Sequence, residues 1–516
     1  MQGTFLGNLR VNVALVVVVL LVHLLRVAEL HTTHRPPETT GATPWTGGVG
    51  ALDPASKIPK FDPPESTTTR RLEERPVEVN RGPWSHRSLR ARSALTTHLK
   101  GLIVVQGSTV ASKSKVTTDV VASFLSIREE LHRNFNADGD QEYFLACPSL
   151  ARLPQSHVDN ATDGAAFIVA FRVKEVLGAL PREKYLNHWR SPLPSGQSYV
   201  LLRRLRSDLS PTSTQGTLLP IPLVPGTDSG PEDPRIVMLD DDEILVTFNM
   251  LTSWPDQPMR RQIFFYRENP GRLFKPRIRS PYNAYQFEDM PPVEKNWSPL
   301  ELDGALHFVR SLLPLQVIRC NSEGNDCEHV HREGKSPPGI GPFRGGSAFV
   351  HFKTVDGVPY FLTVAHSTVF LDRHLFPLTD LSFGAFERPH LLLLRAGNPW
   401  RIVYVSGCIQ LSSLAISIEA RQLMNISVGE SMRGLDSLRA HAIEYPAGLV
   451  LESPDSCLVS LHLNDQRPIV VRVTGFESSL TEAIKLDLES PLDGFSTPVH
   501  DIGRLLLTVF PFFVCV

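Results

Sequence analysis

Five times along the chain an apolar run turns at a short polar corner and returns as a second apolar run. Phe167 to Val173 follows Pro148-Ser149-Leu150 across a polar turn. Arg235 to Leu239 is followed by an acidic turn and the return Ile244 to Asn249. Leu302 turns at Asp303-Gly304 into Ala305–Ser311 and continues into Leu315–Arg319. Ser347 to Phe352 turns at Asp356-Gly357 into Tyr360–His366. Gly448 to Leu451 turns at Ser453-Pro454-Asp455 into Cys457–Asp465. Short apolar runs between Asp, Gly and Pro corners predict β-hairpins. Recurrence of one hairpin shape predicts an all-β propeller, in which each unit buries its faces against its neighbours. A sandwich with a second domain is the alternative. One helix is expected over residues 119–135, where apolar positions recur at helical spacing. Residues 370–445 are expected to hold further strands and an insertion. The apolar end, Leu505 to Val516, is expected to be a closing strand because it is too short to span a bilayer.

The first ninety residues have a different pattern. Val11 to Val27 is apolar apart from Asn12, His23 and Arg26. That length is at the short end of what a spanning helix needs. A signal anchor is expected over residues 11–27 behind a cytoplasmic tail at 1–10; a cleaved signal peptide is the alternative. Residues 28–93, rich in Thr, Pro, Ser and Arg without apolar periodicity, are expected to be a disordered stem. The folded domain is expected over 94–516. Either N-terminal assignment sends that domain into the secretory lumen.

Composition narrows the choice of partner. There are 52 basic and 54 acidic residues, so no charge excess points to nucleic acid. The 42 prolines and 34 glycines suit turn-rich β-structure. Asn160-Ala-Thr and Asn425-Ile-Ser are glycosylation sequons; Asn296-Trp-Ser also matches, but the following Pro disfavours its use. Of the six cysteines, Cys320 and Cys327 flank a polar turn and are expected to pair.

Polar residues at strand ends carry the candidate chemistry. In a propeller the innermost strands converge at one mouth. That would gather Asp233, Arg235, Asn249, Lys295, Asn296, Trp297, Arg344, His366 and Asp465. Each has a plainer alternative. Asp233 and Arg235 could be a corner ion pair, Lys295 a surface lysine, His366 a hydrogen-bonded core residue, and Gly345-Gly346 a bulge. Asp240-Asp241-Asp242 matches the D-x-D metal motif of nucleotide-sugar transferases, yet its place in a hairpin turn favours a solvated loop.

In order, Glu232-Asp-Pro-Arg235, Lys295-Asn-Trp-Ser-Pro299, His307-Phe-Val309, Arg319-Cys320, Arg344-Gly-Gly-Ser347, Val364-Ala-His366 and Ser460-Leu-His-Leu-Asn-Asp465 resemble the β-mannosyltransferase family of yeast Golgi enzymes. These are type II membrane proteins that add β-1,2-linked mannose to cell-wall glycans. The chain is more distantly similar to the five-bladed propellers of mannoside phosphorylases and hydrolases. Two motifs depart from the family: Gly-Gly-Thr is Gly-Gly-Ser here, and Ser-Tyr-Gly-x-Asn-Asp is Ser-Leu-His-Leu-Asn-Asp.

The resemblance implies a five-bladed lumenal propeller that moves mannose from GDP-mannose to a mannan or glycan acceptor in β-linkage. It implies Asp233 as acid/base and Asp465 as a ligand of sugar hydroxyls. Arg235, Lys295, Arg344 and His366 are candidates for holding phosphate. Asn249, Asn296 and Trp297 complete the substrate-binding set, with Trp297 offering an apolar face to a sugar ring. Basic side chains rather than Mn²⁺ are expected to stabilise the leaving diphosphate. A phosphorylase using mannose-1-phosphate and a non-catalytic glycan-binding propeller are the alternatives.

Overall fold

The computed structural model describes residues 95–105, 108–135, 141–159, 161–177, 195–221, 230–239, 243–254, 257–268, 271–288, 293–321, 323–333, 343–370, 385–409, 444–463 and 467–490. All of them fall in the compact unit Trp84–Val516. The expected anchor and stem, the sequons at Asn160 and Asn425, Asp240–Asp242, most of 370–445, Asn464-Asp465 and the apolar end all lie outside the described residues.

The described residues are predominantly β-strand. A hairpin, β1 (Leu95–Val105) and β2 (Ser108–Ser123), comes first. Two four-stranded antiparallel sheets follow: β3 (Gln141–Arg152), β4 (Ala165–Leu177), β5 (Ser195–Arg206) and β6 (Thr217–Leu218), then β7 (Glu232–Met238), β8 (Ile244–Trp254), β9 (Gln257–Arg267) and β10 (Arg272–Phe274). A six-stranded sheet contains β11 (Arg277–Ser280), β12 (Asn283–Phe287), β13 (Ser298–Leu302), β14 (Ala305–Leu312), β15 (Leu315–Cys320) and β16 (Asp326–Arg332). The last sheet joins two meanders. One is β17 (Phe343–Arg344), β18 (Val350–Val355), β19 (Val358–Phe370), β20 (Ala385–Arg395) and β21 (Arg401–Cys408). The other is β22 (Glu444–Ser453), β23 (Ser456–Leu463) and β24 (Arg467–Thr474). The β1–β2 hairpin connects them, β1 pairing with β21 and β2 with β24.

Alternation explains why the strands read as near-continuous apolar runs. In β8, Ile244, Val246, Phe248 and Met250 face the β3–β6 sheet, while Leu245 faces the β13–β16 strands. In β20, Leu391 and Leu393 join one core and Leu392 and Leu394 the other. Both faces are therefore buried, and successive side chains enter different cores. The cores form a closed sequence. β3–β5 pack on β7–β9, those on β13–β15, those on β19–β21, those on β22–β24, and β22–β24 pack back on β3–β5.

The corners follow the residues present. Asp303 and Gly304 have φ of 53° and 71°, Asp356 and Gly357 51° and 76°. Positive φ at both central positions is the geometry of tight hairpins, which Asp-Gly tolerates well. Cys320 and Cys327 sit directly opposite on β15 and β16 and form a disulfide, as expected.

The helix expected over 119–135 is shorter. It covers Leu125–Phe135, and residues 119–123 extend β2 instead. Asp119, Val120, Ala122 and Ser123 pair with Arg472, Val471, Val470 and Ile469, so β24 satisfies their backbone in place of a helical turn. A second helix, Glu477–Glu489, escaped sequence reading. It is moored through Asp487, which accepts from Tyr360 at 2.7 Å and Arg395 at 3.1 Å and pairs with Arg401. Among the described residues no helix is long and apolar enough to cross a membrane.

Candidate active site

The first strand of several meanders carries a residue followed by Pro: Cys147-Pro148 on β3, Asp233-Pro234 on β7, Ser298-Pro299 on β13 and Tyr445-Pro446 on β22. Proline cannot donate to a β-ladder, so it marks a bulge or a strand start. Three of these strands are bulged there. Glu232 opposes Asn249 and Arg235 opposes Thr247, so β7 holds one residue more than β8 over that interval. β3 does the same between Ala146 and Ser149, and β22 between Pro446 and Gly448. Cys147 and Asp233 take φ of 48° and 52°, and Asn296 65°. The bulges turn Cys147 and Asp233 out of the pleat and towards one another.

Serines and glycines hold the inner strands close. Ser149 Oγ accepts from Ile236 N at 2.9 Å, and Ser460 Oγ accepts from Leu150 N at 3.2 Å. A Cβ on Gly448 would sit 2.3 Å from Leu150 N, and one on Gly346 2.3 Å from Val364 O. Glycine at 346 thus permits a close approach of strands.

Asp233 is the centre of the cluster. Asn249 Nδ2 donates to Oδ2 at 3.1 Å, and the Cys147 thiol donates to Oδ1 at 3.2 Å. Asn249 is in turn fixed by Arg261, whose Nη1 donates to Oδ1 at 2.6 Å. Arg261 and Arg172 both grip Glu232, Arg172 at 2.8 Å. Burial of Asp233 favours its protonated form. Arg172, Arg235, the Cys147 hydrogen bond and Lys295 outweigh that burial and hold the carboxyl well below the usual range. It is ionised at neutral pH.

A relay of hydrogen bonds joins Asp233 to the neighbouring cleft. Arg235 Nη1 donates to the Asp233 carbonyl at 3.0 Å, Nη2 to the Tyr445 hydroxyl at 2.6 Å, and Nε to the Gly346 carbonyl. The Tyr445 hydroxyl donates to Asn296 Oδ1 at 2.8 Å. Its ring lies between His366 and His462, with centroids at 4.7 and 5.1 Å. The cleft is a small depression of about 50 Å³ open to solvent, with Lys295, Asn296, Arg310, Arg344 and Gly345 in its wall. Asp233 is not in that wall; Arg235, Tyr445 and Asn296 link it to the cleft.

His366 is fully buried, and among the described residues neither of its ring nitrogens has a hydrogen-bond partner. Burial, then Arg344, Arg235 and Lys295, push its pKa well below the ordinary value against the opposing pull of Asp233. It is a neutral imidazole at pH 7. Such a ring can donate one hydrogen bond and accept another without adding charge. Arg344 stands opposite it on β17.

The structure therefore brings together Asp233, Arg235, Asn249, Lys295, Asn296, Arg344 and His366. Two of these have roles that differ from the expected substrate contacts. Asn249 has no exposed surface and its amide is engaged by Glu232, Asp233 and Arg261, so it positions Asp233. Arg235 is buried with its guanidinium engaged on three sides, and it organises the site from behind. Trp297 is a correction. It is 1% exposed, packs on Phe308 and donates to Glu294 at 2.7 Å, so its ring is core and not a sugar platform. Its apolar bulk and indole N–H fit the space between β9 and β14. Asp465 lies outside the described residues.

Sequence reading missed Cys147, Tyr445 and His462 as members of the site. The signal for Cys147 and Tyr445 was the recurring X-Pro at inner-strand starts. His462 stood inside a quoted motif, at the position where the chain departs from the family pattern.

No family model matches the chain. Among curated proteins, β-mannosyltransferase 2 of Komagataella phaffii is 34% identical over 301 residues, covering 54% of this chain and 41% of that protein. β-Mannosyltransferase 3 of Candida albicans is 28% identical over 201 residues, covering 35% of this chain and 34% of that protein. The chain resembles the yeast β-mannosyltransferases. The similarity spans less than half the length of each of these two relatives. Among solved structures, a mannose phosphorylase from Leishmania mexicana in complex with a phosphate ion aligns with TM-score 0.36 and 11% identity, over 69% of this chain and 94% of that one.

Proposed function

We propose that this chain is a β-mannosyltransferase that moves mannose from GDP-mannose to a mannan or glycan acceptor. The observation that carries the proposal is an ionised aspartate fixed by two donors beside a cleft walled by Lys295, Asn296 and Arg344. The sequence likeness to β-mannosyltransferases supports the choice of sugar. We read the closed packing of successive meanders as a five-bladed propeller with its mouth at Asp233.

In the reaction, the acceptor hydroxyl gives its proton to the Asp233 carboxylate as its oxygen bonds to the anomeric carbon of mannose. The bond from that carbon to the diphosphate oxygen breaks, and GDP leaves with the bonding electrons. A β-product from an α-linked donor needs attack on the face opposite the leaving group, hence a single displacement. Lys295 and Arg344 lie where they can neutralise the departing diphosphate, and neutral His366 supplies an N–H without competing for the proton. Arg235 and Asn249 keep the carboxylate and its strand in register. No step calls on a metal ion, so turnover is expected to survive a chelator. We place the domain in the Golgi lumen behind a single type II anchor: the Val11–Val27 run supports the anchor, and the resemblance to yeast Golgi β-mannosyltransferases the compartment and orientation.

The test is donor use by the purified chain with a mannose oligomer. Extension from GDP-mannose is expected. Extension from mannose-1-phosphate alone would move the assignment to a phosphorylase, and no extension from either would leave a glycan-binding role.

A further inference from the structure

Cys147 touches the proton acceptor, and what its thiol does for turnover goes beyond the reaction steps given above. Its Sγ is 3.2 Å from Asp233 Oδ1 and 3.2 Å from His462 Nδ1, and its backbone N–H donates to that same nitrogen at 2.9 Å. The residue has no exposed surface and sits in the β3 bulge with φ of 48°. We propose that Cys147 is a positioning residue for Asp233, its thiol donating to one carboxylate oxygen while His462 pins the bulge that carries it. This rests on Asp233 being the group that takes the acceptor proton.

The direction of the thiol proton follows from the neighbours. His462 Nδ1 already accepts the Cys147 backbone N–H, so it is the unprotonated nitrogen and its lone pair is engaged. The ionised Asp233 oxygen is the stronger acceptor, and a bond to an ionised partner is stronger than a neutral one. Cys147 then holds Oδ1 and Asn249 holds Oδ2, one donor from β3 and one from β8. Two donors from different strands fix the plane of the carboxylate and leave its remaining lone pairs to the acceptor hydroxyl. The bond lowers the proton affinity of Asp233 in the same direction as Arg172 and Arg235, so what the thiol contributes to turnover is the orientation of Oδ1.

Two measurements test the proposal. The first is the S–H stretching band of Cys147, identified by its loss in Cys147→Ala. It is expected at lower frequency than an unbonded thiol, and it should move back in Asp233→Ala. A band at the unbonded position in the parent protein overturns the proposal whatever the enzyme's activity. The second is turnover. Cys147→Ala is expected to lower kcat by ~10-fold or more with donor KM changed by less than about threefold, because orientation acts on the transition state. Cys147→Ser, which keeps a donor, is expected to regain most of the loss. If Cys147→Ala keeps the parental kcat per folded molecule, the thiol does not position the carboxylate. If the parent extends no acceptor from any mannosyl donor, the proposed reaction fails, and the infrared band still decides the thiol–carboxylate contact.

Discussion

Asp233 derives its character from four charged or polar neighbours, three on β3, β4 and β7 and one just before β13. Arg172, Arg235, Lys295 and the Cys147 thiol keep it ionised despite burial. Asp233→Asn retains the shape and the Asn249 contact but cannot take a proton. Turnover should fall by ~10²–10⁴-fold, a typical range for a lost acid/base, with the melting transition retained. Initial rates beside a thermal scan check this. The cluster around Glu288 gives a pH expectation of its own. Burial opposes its ionisation, but the His329 hydrogen bond and Arg310 bring its pKa down to about 2 from 4.5. A folded pKa below the unfolded one means stability that is complete above about 4.5 and is lost as pH falls through about 2. Thermal scans from pH 5 downward should therefore show a falling Tm, and Glu288→Gln should flatten that slope. At this scale the sequence was partly legible. Asp233 stood out because Glu, Asp, Pro and Arg adjoin at a strand mouth. Trp297 misled because exposed and buried indoles look alike in sequence; Glu294 three residues earlier, which takes its N–H, gave no hint of direction. Cys147 and Tyr445 are distant in sequence from Asp233, and only the closure of the strands brings them to it.

Strands and corners were the most legible elements. Asp-Gly pairs specify the turns, and the apolar runs between them can only be strands with both faces covered. The helix boundary at Leu125 was not legible, because the partner that converts 119–123 to strand lies about 350 residues further on. Two elements depend on single side chains that can be tested. Gly346 sits where a Cβ would meet Val364 O at 2.3 Å and Pro446 Cγ at 2.7 Å, and its carbonyl accepts from Arg235. Gly346→Ala should push β22 from β19, costing about 1–3 kcal/mol and displacing Arg235. Denaturant midpoints should shift, and kcat per folded molecule should fall. Asp487 moors the Glu477–Glu489 helix with Arg395, Arg401 and Tyr360. Asp487→Ala would leave the buried Arg395 and the half-buried Arg401 without their carboxylate, a loss of ~3–5 kcal/mol in unfolding free energy. Apart from β19, which carries both Tyr360 and His366, the site lies on other strands, so activity of the folded fraction should be largely retained.

At the level of the whole molecule, the meanders pack in a closed series; the bulged inner strands deliver Cys147, Asp233 and Tyr445, and the segment before β13 delivers Asn296, to one place. Recurrence of one hairpin shape made this architecture visible in the sequence. Its exact membership was not visible, since β1 and β2 enter from the N-terminal end to bridge β21 and β24. The proposed activity depends on that convergence: remote strands supply the acceptor of the proton, the groups that orient it and the cations of the cleft. The most direct test is the anomeric configuration of the product formed from GDP-mannose and a mannose oligomer, read by nuclear magnetic resonance for the parent and for Asp233→Asn. The expected result is a new β-linked mannose from the parent and none at matched protein and time from the variant. An α-linked product, or equal product from both proteins, would contradict the account.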